Sequence, residues 1–477
     1  MPIDLDDMFT TLGRHADTIP LAPPARARRR GQQRTRTRAM IAAAAVCLVA
    51  VAGGVTAWRD RHSDRRPTPS ATLRPIGTPI ELGGQSRVST ATGADGRLYT
   101  AWQVLDGGIK LNAVELRTGA IAWPARDVGS RTDTIGLFYA LPQAVIFTVS
   151  HRDSTGSDST MYIYDPADGR QRWKLPFDAA DDLTIHRSVL VRVSARTGRT
   201  EAFDWATGAT RWALAAQADR PVRTVGNWLP VTGDVAFPSE RTVGVADDNL
   251  IQITKAGEVK VLDLATGELR RTVTSVPPDK DPRTFFGYDG RLVNDEHACC
   301  EQFAGYRIRV TDLRTDRGGS TVILSEGAGH QLNALLPCGR QRLCVMDDDR
   351  AGRTTLTAID LTSLRQLWRV AAPAGAFSFS TSDGYILVGG PEGDKVVYDQ
   401  DGKQVFSTPA AAVDWLDKDT LLLLPGRLEG TARKVTIPDG RVTTLGEVPA
   451  SSDACTWTTE RLACPTITNL RIWSLTG

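Results

Sequence analysis

Cysteine is the residue type in this sequence whose spacing most directly predicts covalent chemistry. Cys338 and Cys344 flank the segment GRQRL, and Cys455 and Cys464 flank a turn of similar character. Both spacings suit a disulfide that joins the two strands of a hairpin. A zinc site would need a tighter Cys-x-x-Cys pair with histidines nearby, so we expect two disulfides here and no metal.

The adjacent cysteines Cys299 and Cys300, within HACCEQF, are a separate feature. We predict a structural pair that is either bonded to each other or idle. His297 stands beside them, but the six histidines of the chain are otherwise scattered, with no pair at ligand spacing. The sequence therefore predicts no metal site at this position either.

Catalytic patterns are not found in the sequence. Aspartates recur chiefly within one repeated phrase, where turn formation accounts for them: Asp165, Asp204, Asp263 and Asp360. Two acidic stretches, at residues 247–249 and 346–350, could bind calcium weakly, but solvated loops are the interpretation we favour. Nucleophile motifs, a phosphate-binding loop and basic-aromatic interleaving are missing, so we predict no catalytic residue, no resident cofactor and no nucleic-acid partner.

Composition favours one large folded domain. The chain has 477 residues, of which 41% are hydrophobic and 23% charged, and its 43 glycines and 26 prolines suit many short strands. The net charge of +2 hides a dense arginine run between Arg26 and Arg38. The remainder of the chain is close to electrically balanced, which predicts no general nucleic-acid surface.

The stretch from Ala39 to Trp58 carries no charged side chain. About 20 residues at 1.5 Å each cross a hydrocarbon core of about 30 Å, so this stretch predicts a transmembrane helix over 39–58. Arginines without acidic neighbours precede it, whereas Asp60 and Asp64 dilute those that follow. The positive-inside rule therefore predicts a single-pass plasma-membrane protein, with a cytoplasmic tail at 1–38 and an extracytoplasmic domain.

A cleaved signal peptide is the alternative interpretation, because Val55, Thr56 and Ala57 offer small residues for cleavage. The long preceding segment and the full-span length favour the anchor. Residues 59–75 are polar, contain proline and lack periodicity, which predicts a flexible stalk. Residues 5–12 of the tail have apolar side chains at helical spacing and could form either a docking helix or part of a disordered tail.

One phrase recurs along the rest of the chain: an alternating apolar run, a tight turn and often a tryptophan. Its clearest copies are at 111–123, 161–173, 200–212 and 259–271, and weaker copies lie near Asp312, Trp368, Phe406 and Asp439. Two more strand-like runs precede each phrase, such as 145–149, 188–193 and 420–424. The turns recur every ~40 to 60 residues, the period of a four-stranded propeller blade.

These phrases resemble the pyrroloquinoline-quinone (PQQ)-like repeat of quinoprotein alcohol dehydrogenases. AFDWATG at 202–208 with Trp212 is the closest copy, and VLDLATG at 261–267 is almost as good. The resemblance implies an all-β fold, a β-propeller of four-stranded blades over 76–477. In that family an adjacent-cysteine ring covers the quinone early in the chain, whereas Cys299 and Cys300 lie in a middle blade, so the analogy is discounted.

We expect the two ends of the predicted propeller to pair with each other. The chain ends on a strand at 470–475 with no outer partner after it, and residues 76–82 are the natural candidate to pair with it. Such pairing would close the ring and remove an exposed edge. The repeat turns and this composite unit predict eight blades, with seven or nine as alternatives.

The resemblance leaves function open, because the same repeat serves quinoprotein dehydrogenases, outer-membrane assembly scaffolds and sensor domains of membrane kinases. We favour a noncatalytic scaffold that binds a protein or surface ligand on one face of the propeller. A dehydrogenase that needs PQQ and calcium is the second hypothesis. A sensor that signals through the cytoplasmic tail is the third.

Overall fold

The structure is a computed structural model that describes residues 73–476, except 131–132, 152–157, 217–220, 229–245, 255, 275–284, 298–301, 317, 391–393, 410–411, 426–429 and 449–454. Every regular element in these ranges is a β-strand, which confirms the all-β class. The predicted tail, transmembrane helix and most of the stalk lie outside the described residues, as do Cys299 and Cys300. Within the described ranges, no helix could span a membrane.

The strands fall into units of four, which we call blades. Two strands precede the first complete blade: β1 (Arg74–Pro75) and β2 (Ile80–Glu81). Blades 1 to 3 comprise β3 (Ser86–Ala94), β4 (Arg97–Val104), β5 (Ile109–Glu115), β6 (Ile121–Val128), β7 (Thr134–Leu141), β8 (Ala144–Ser150), β9 (Asp158–Tyr164), β10 (Gln171–Asp178), β11 (Asp182–Ile185), β12 (Leu190–Val193), β13 (Thr200–Phe203) and β14 (Thr210–Leu214).

Blades 4 to 6 comprise β15 (Pro221–Trp228), β16 (Ala246–Thr254), β17 (Glu258–Asp263), β18 (Leu269–Thr274), β19 (Phe285–Tyr288), β20 (Arg291–His297), β21 (Tyr306–Asp312), β22 (Ser320–Glu326), β23 (His330–Pro337), β24 (Arg342–Asp349), β25 (Thr354–Asp360) and β26 (Arg365–Ala371). Blades 7 and 8 comprise β27 (Ser378–Ser382), β28 (Tyr385–Gly389), β29 (Lys395–Tyr398), β30 (Gln404–Thr408), β31 (Ala412–Trp415), β32 (Thr420–Leu424), β33 (Gly430–Thr436) and β34 (Arg441–Val448). The last strands are β35 (Thr456–Trp457), β36 (Arg461–Pro465) and β37 (Asn469–Ser474).

Each blade is an antiparallel meander, and blades 4 and 5 merge into one eight-stranded sheet through a short parallel pairing of β15 with β19. The predicted runs at 145–149, 188–193 and 420–424 fall in the second strands β8, β12 and β32. First strands of neighbouring blades contact one another, so they lie innermost around the axis. Apolar side chains of the second and third strands are buried between blades.

Nine hydrophobic clusters of described residues lie one at each junction between consecutive blades, including the junction of the last blade with the first. The described strands therefore form a ring of nine four-stranded units rather than the eight predicted, the upper of the stated alternatives. Each of the eight repeat turns lies in a complete four-stranded unit, and the composite closing unit is the ninth.

The closing unit, blade 9, confirms the predicted pairing of the two chain ends. Arg74 and Pro75 pair with Ser474 and Trp473, and Ile80 pairs with Leu470. The outer strand of this blade is thus split into β1 and β2, and it begins two residues before the predicted start at Ile76. Closure therefore gives the last strand, β37, a partner on its outer side.

Both predicted hairpin disulfides are present. Cys338 and Cys344 have Cα atoms 5.5 Å apart and join the end of β23 to β24. Cys455 and Cys464 have Cα atoms 4.2 Å apart and join the start of β35 to β36. Each disulfide therefore links the first two strands of a blade, and the second lies in the blade that closes the ring.

The meander gives the propeller two faces with different content. The connector face carries the loops between second and third strands and the connections from each fourth strand to the next blade. The turn face carries the hairpins between third and fourth strands and those between first and second strands. Leu73, where the described chain begins, and Leu475 near its end both lie at the turn face, because Arg74 pairs with Ser474.

Candidate functional site

Contacts between neighbouring blades, which we call latches, lie at the turn face. The tryptophan of one blade's fourth strand lies over the turn glycine of the next blade and donates its indole N–H to a carbonyl there. The pairs are Trp123 with Pro166 O (3.2 Å), Trp173 with Trp205 O (2.9 Å), Trp212 with Leu264 O (2.9 Å) and Trp368 with Gln400 O (2.8 Å). The repeat tryptophans therefore pack between neighbouring blades.

The repeat aspartates build the same turns. Asp204 Oδ1 accepts hydrogen bonds from the amides of Ala206 (2.9 Å) and Thr207 (3.0 Å), and Asp263 Oδ1 accepts from the amide of Ala265 (2.8 Å). The hydrogen bond from Arg211 and those within the turn lower the pKa of Asp204, against the opposing effect of burial. These carboxylates stabilise turns, as predicted, and do not converge on one point.

The structure corrects the prediction that the two acidic stretches are solvated loops, since Asp247 and Asp347 lie in strands. Asp347 lies in β24, is buried, and accepts a hydrogen bond from the Thr355 hydroxyl. Asp247 lies in β16 and accepts hydrogen bonds from the side-chain amides of Asn227 (2.6 Å) and Asn249 (2.7 Å). Strand pairing explains the contacts with Thr355 and Asn227, since Thr355 lies opposite Asp347 and the strand that holds Asn227 pairs with the strand that holds Asp247.

Two aspartate–histidine pairs were not predicted from the sequence. His151 Nδ1 lies 2.8 Å from Asp133 Oδ1, and its Nε2 lies 2.9 Å from the Thr160 hydroxyl. His330 Nδ1 lies 2.7 Å from Asp347 Oδ2. Both pairs sit at the connector face, where the start of a first strand meets the end of a second strand. Histidines placed at predicted strand ends were the signal that could have found them.

Asp133 is a buried carboxylate whose partners fix the connection into blade 2. Burial raises its pKa, but hydrogen bonds from the Ser130 amide (2.6 Å), from His151 and from the Ser130 hydroxyl (2.9 Å) lower it overall. Both ring nitrogens of His151 have partners, so the group fixes the connection into blade 2.

Asp133 therefore predicts a pH dependence of stability. The pKa of Asp133 in the folded protein lies below its ordinary value of about 3.9. The stability that the ionised carboxylate contributes is therefore complete above about pH 3.9 and is lost as the pH falls through the lowered pKa of the folded protein. We expect the melting temperature of the wild type to fall more steeply between about pH 5 and pH 2 than that of Asp133→Asn. Asp168→Asn, an exposed turn residue, is the control and should keep the wild-type slope; equal slopes for all three would contradict the assignment.

A cavity of about 380 Å³ lies at the connector face between blades 7 and 8. The first strands β27 and β31 form its sides, and Trp457 of β35 borders it. Two charged side chains line it, Lys395 at the start of β29 and Asp414 in β31. Loops and strand ends around a propeller axis commonly carry ligand sites, so this cavity is the candidate site.

The described residues do not fit a calcium-held quinone. Such a site needs carboxylate and amide oxygens that converge on a cation. Around Asp247 the amide nitrogens of Asn227 and Asn249 point at the carboxylate instead, and among the described residues no group of three or more His, Cys, Asp or Glu side chains could hold a metal.

Comparison with known proteins gives the repeat a family. A protein-family model described as outer membrane protein assembly factor BamB, one of the PQQ-like repeat models, matches residues 106–281, from the end of β4 to beyond blade 4. Over residues 106–281 this chain is similar to the PQQ-like repeat family. The repeat predicted from AFDWATG and VLDLATG is thereby confirmed, and both phrases lie inside the matched range.

Solved structures with similar propellers share little sequence with this chain. BamB from Moraxella catarrhalis is 15% identical, with a TM-score of 0.40 over 85% of this chain and 100% of its own. The computationally designed Ika8 protein is 15% identical, with a TM-score of 0.44 over 78% and 100%. The C-terminal WD40 domain of Sif2 is 10% identical, with a TM-score of 0.41 over 86% and 100%. No curated protein matches the sequence.

Proposed function

We propose that this PQQ-like β-propeller is a noncatalytic binding module, held at the outer surface of the plasma membrane through residues 39–58, that binds a protein ligand on its connector face. The apolar stretch and the arginine asymmetry support the anchor. The family match supports a protein-binding role, since the matched family is described as an assembly factor.

One pair of exposed aliphatic side chains favours the connector face as the binding face. Leu105 and Ile467 are each 64% exposed, at the tips of adjacent connector-face loops of blades 1 and 9. The Leu105 amide donates to Gln85 O (3.2 Å), and the next amide, that of Ser86, donates to Ile467 O (2.6 Å). Two exposed apolar tips are thus fixed on either side of one peptide bond, which is a preorganised arrangement for contact.

Other exposed aliphatic residues are distributed differently. Ile121, Leu269, Leu367, Val405 and Val442 lie at the turn-face ends of fourth strands, one in each of their blades, around the rim. Single exposed apolar residues need no partner. Phe377, 52% exposed beside the cavity, adds a further apolar group to the connector face. The connector face therefore carries exposed apolar groups on blades 7, 9 and 1, of which those on blades 9 and 1 are adjacent.

Site-specific photocrosslinking tests the proposal in cells that make the full chain. We expect a photoreactive residue at Leu105 or Ile467 to capture the same partner protein, identified by mass spectrometry. Leu269, a similarly exposed leucine on the rim of blade 4, is the matched control and should capture none. Capture from Leu269 alone, or from no connector-face position in a correctly folded protein, would refute a protein-binding connector face.

A further inference from the structure

The two disulfides join the same kind of strand pair, but the strands they join differ in length. The blade-6 disulfide, Cys338–Cys344, adds to a ladder in which the eight-residue strand β23 pairs with β24 from its first residue to its last. The blade-9 disulfide, Cys455–Cys464, adds to a ladder of two residues, because β35 consists of Thr456 and Trp457 alone. The blade-9 disulfide therefore accounts for a larger share of what holds its first strand in place.

Neighbouring blades also hold the blade-6 hairpin. The Tyr288 hydroxyl of blade 5 donates a hydrogen bond to Gly339 O in the turn between β23 and β24 (2.7 Å). Arg342 Nη1 donates to Gln400 O of blade 7 (2.7 Å). With these hydrogen bonds and its long ladder, the blade-6 hairpin would keep its position without the disulfide.

Strand β35 lies at the inner edge of blade 9, next to blade 8. The Trp457 indole N–H donates to Trp415 O of blade 8 (3.0 Å), and Cys455 and Trp457 pack against the apolar cluster between the two blades. The chain ends pair through β37 with β1 and β2, and β36 lies between β37 and β35. Release of β35 would therefore loosen the junction of blades 8 and 9 and leave the pairing of the chain ends intact.

The two disulfides differ in access from solvent as well. Cys338, Cys344 and Cys464 are 1%, 0% and 1% exposed, whereas Cys455 is only half-buried at the start of β35. Thiol–disulfide exchange begins when a thiolate reaches one sulfur atom of the bond, so its rate depends on access. Of the two bonds, the blade-9 disulfide is the one that a reductant can reach in the folded protein.

We propose that the blade-9 disulfide is a redox-sensitive switch that releases β35 from the folded propeller. A thiolate of a dithiol reductant attacks Cys455 Sγ, the Cys464 sulfur leaves as a thiolate, and the second thiol of the reductant then displaces Cys455. Two electrons and two protons pass from the dithiol to the two cysteines, and the reductant becomes a disulfide. Trp457 then loses its place against Trp415 O, while the blade-6 disulfide stays oxidised. The switch lies within blade 9 and is independent of the proposed function.

Time-resolved alkylation of the full chain in detergent tests the reactivity of the switch. With dithiothreitol under native conditions, we expect Cys455 and Cys464 to become alkylated at least about tenfold faster than Cys338 and Cys344, as assigned by peptide mass spectrometry. The blade-6 disulfide is an internal control, because it also joins a first strand to a second. Equal rates, or faster reduction of the blade-6 disulfide, would overturn the proposal.

Hydrogen exchange of the same full chain measures whether reduction releases β35. Peptides that cover residues 455–458 should exchange at least about tenfold faster after reduction, and slow exchange should return on reoxidation. The double variant Cys455→Ala with Cys464→Ala should exchange like the reduced wild type. The double variant Cys338→Ala with Cys344→Ala is the matched control and should keep exchange across β23 within about threefold of the wild type.

Three results of the exchange experiment would overturn the switch. They are unchanged exchange at 455–458 after reduction, faster exchange that reoxidation does not reverse, and reduction that occurs only together with unfolding of the whole propeller. In each case the blade-9 disulfide would be a structural bond alone. Photocrosslinking from Leu105 and Ile467 under oxidising conditions does not depend on reduction, so the protein-binding face is tested separately.

Discussion

Deletion of residues 76–82 is expected to lower the melting temperature of the propeller by about 10 °C or more. The deleted segment buries Ile80 and Leu82 between blades 9 and 1, and each buried aliphatic side chain contributes about 1.5–3 kcal/mol. Leu82 O also accepts the indole hydrogen bond of buried Trp102 at 2.9 Å, which would lose its partner. Thermal unfolding followed by circular dichroism measures the effect.

A deletion of equal length from the predicted stalk, residues 59–65, is the control and should leave the melting temperature almost unchanged. Leu82→Ala gives a graded version, with an expected loss of about 2–5 kcal/mol in the free energy of unfolding. If both deletions melt at the same temperature, β2 does not contribute to ring closure, and the pairing of Ile80 with Leu470 is not what holds the ends together.

Gly169→Ala is expected to destabilise the junction of blades 1 and 2 strongly. Gly169 has a φ of +69°, and a Cβ atom there would lie 2.5 Å from Cδ2 of the Trp123 ring. Trp123 is buried and cannot move away without exposing apolar surface or losing its hydrogen bond to Pro166 O. We expect a loss of about 3 kcal/mol or more in the free energy of unfolding, measured by chemical denaturation.

Gly440→Ala is the matched control, because Gly440 occupies the equivalent turn of blade 8 with a φ of +62° and open space around its Cβ position. Its cost should be limited to backbone strain, about 1–2 kcal/mol. The difference between the two variants isolates the contact with the tryptophan ring. A difference near zero would mean that the latch contributes little to the junction.

The sequence predicts those parts of the fold that depend on local periodicity. The turns at Gly169 and Gly208 and the tryptophans that follow them, Trp173 and Trp212, specify both the strand pattern and the junctions, because the glycine fixes the turn and the tryptophan packs on the next blade. Hairpin disulfides are equally local. Closure by the segment after the stalk was predictable because a lone terminal strand leaves an edge that must be paired.

The candidate site was not predictable in the same way. Lys395 and Asp414 come from different blades and line one cavity only because β27 packs against β31. Asp133 with His151, and His330 with Asp347, depend on the exact end of each second strand. Strand ends are poorly specified by periodicity, because the alternation that marks a strand fades where the chain turns.

Because Arg74 pairs with Ser474, both ends of the described chain leave the ring from the same place on the turn face. The blades follow one another around the ring in chain order and the last adjoins the first, so the ring has no structural beginning. A short linker could join the two ends, and the chain could be reopened at a connector between other blades as a circular permutant with the same nine junctions. A protein fused after the C-terminus would emerge beside the incoming N-terminal segment and opposite the cavity, leaving the connector face open.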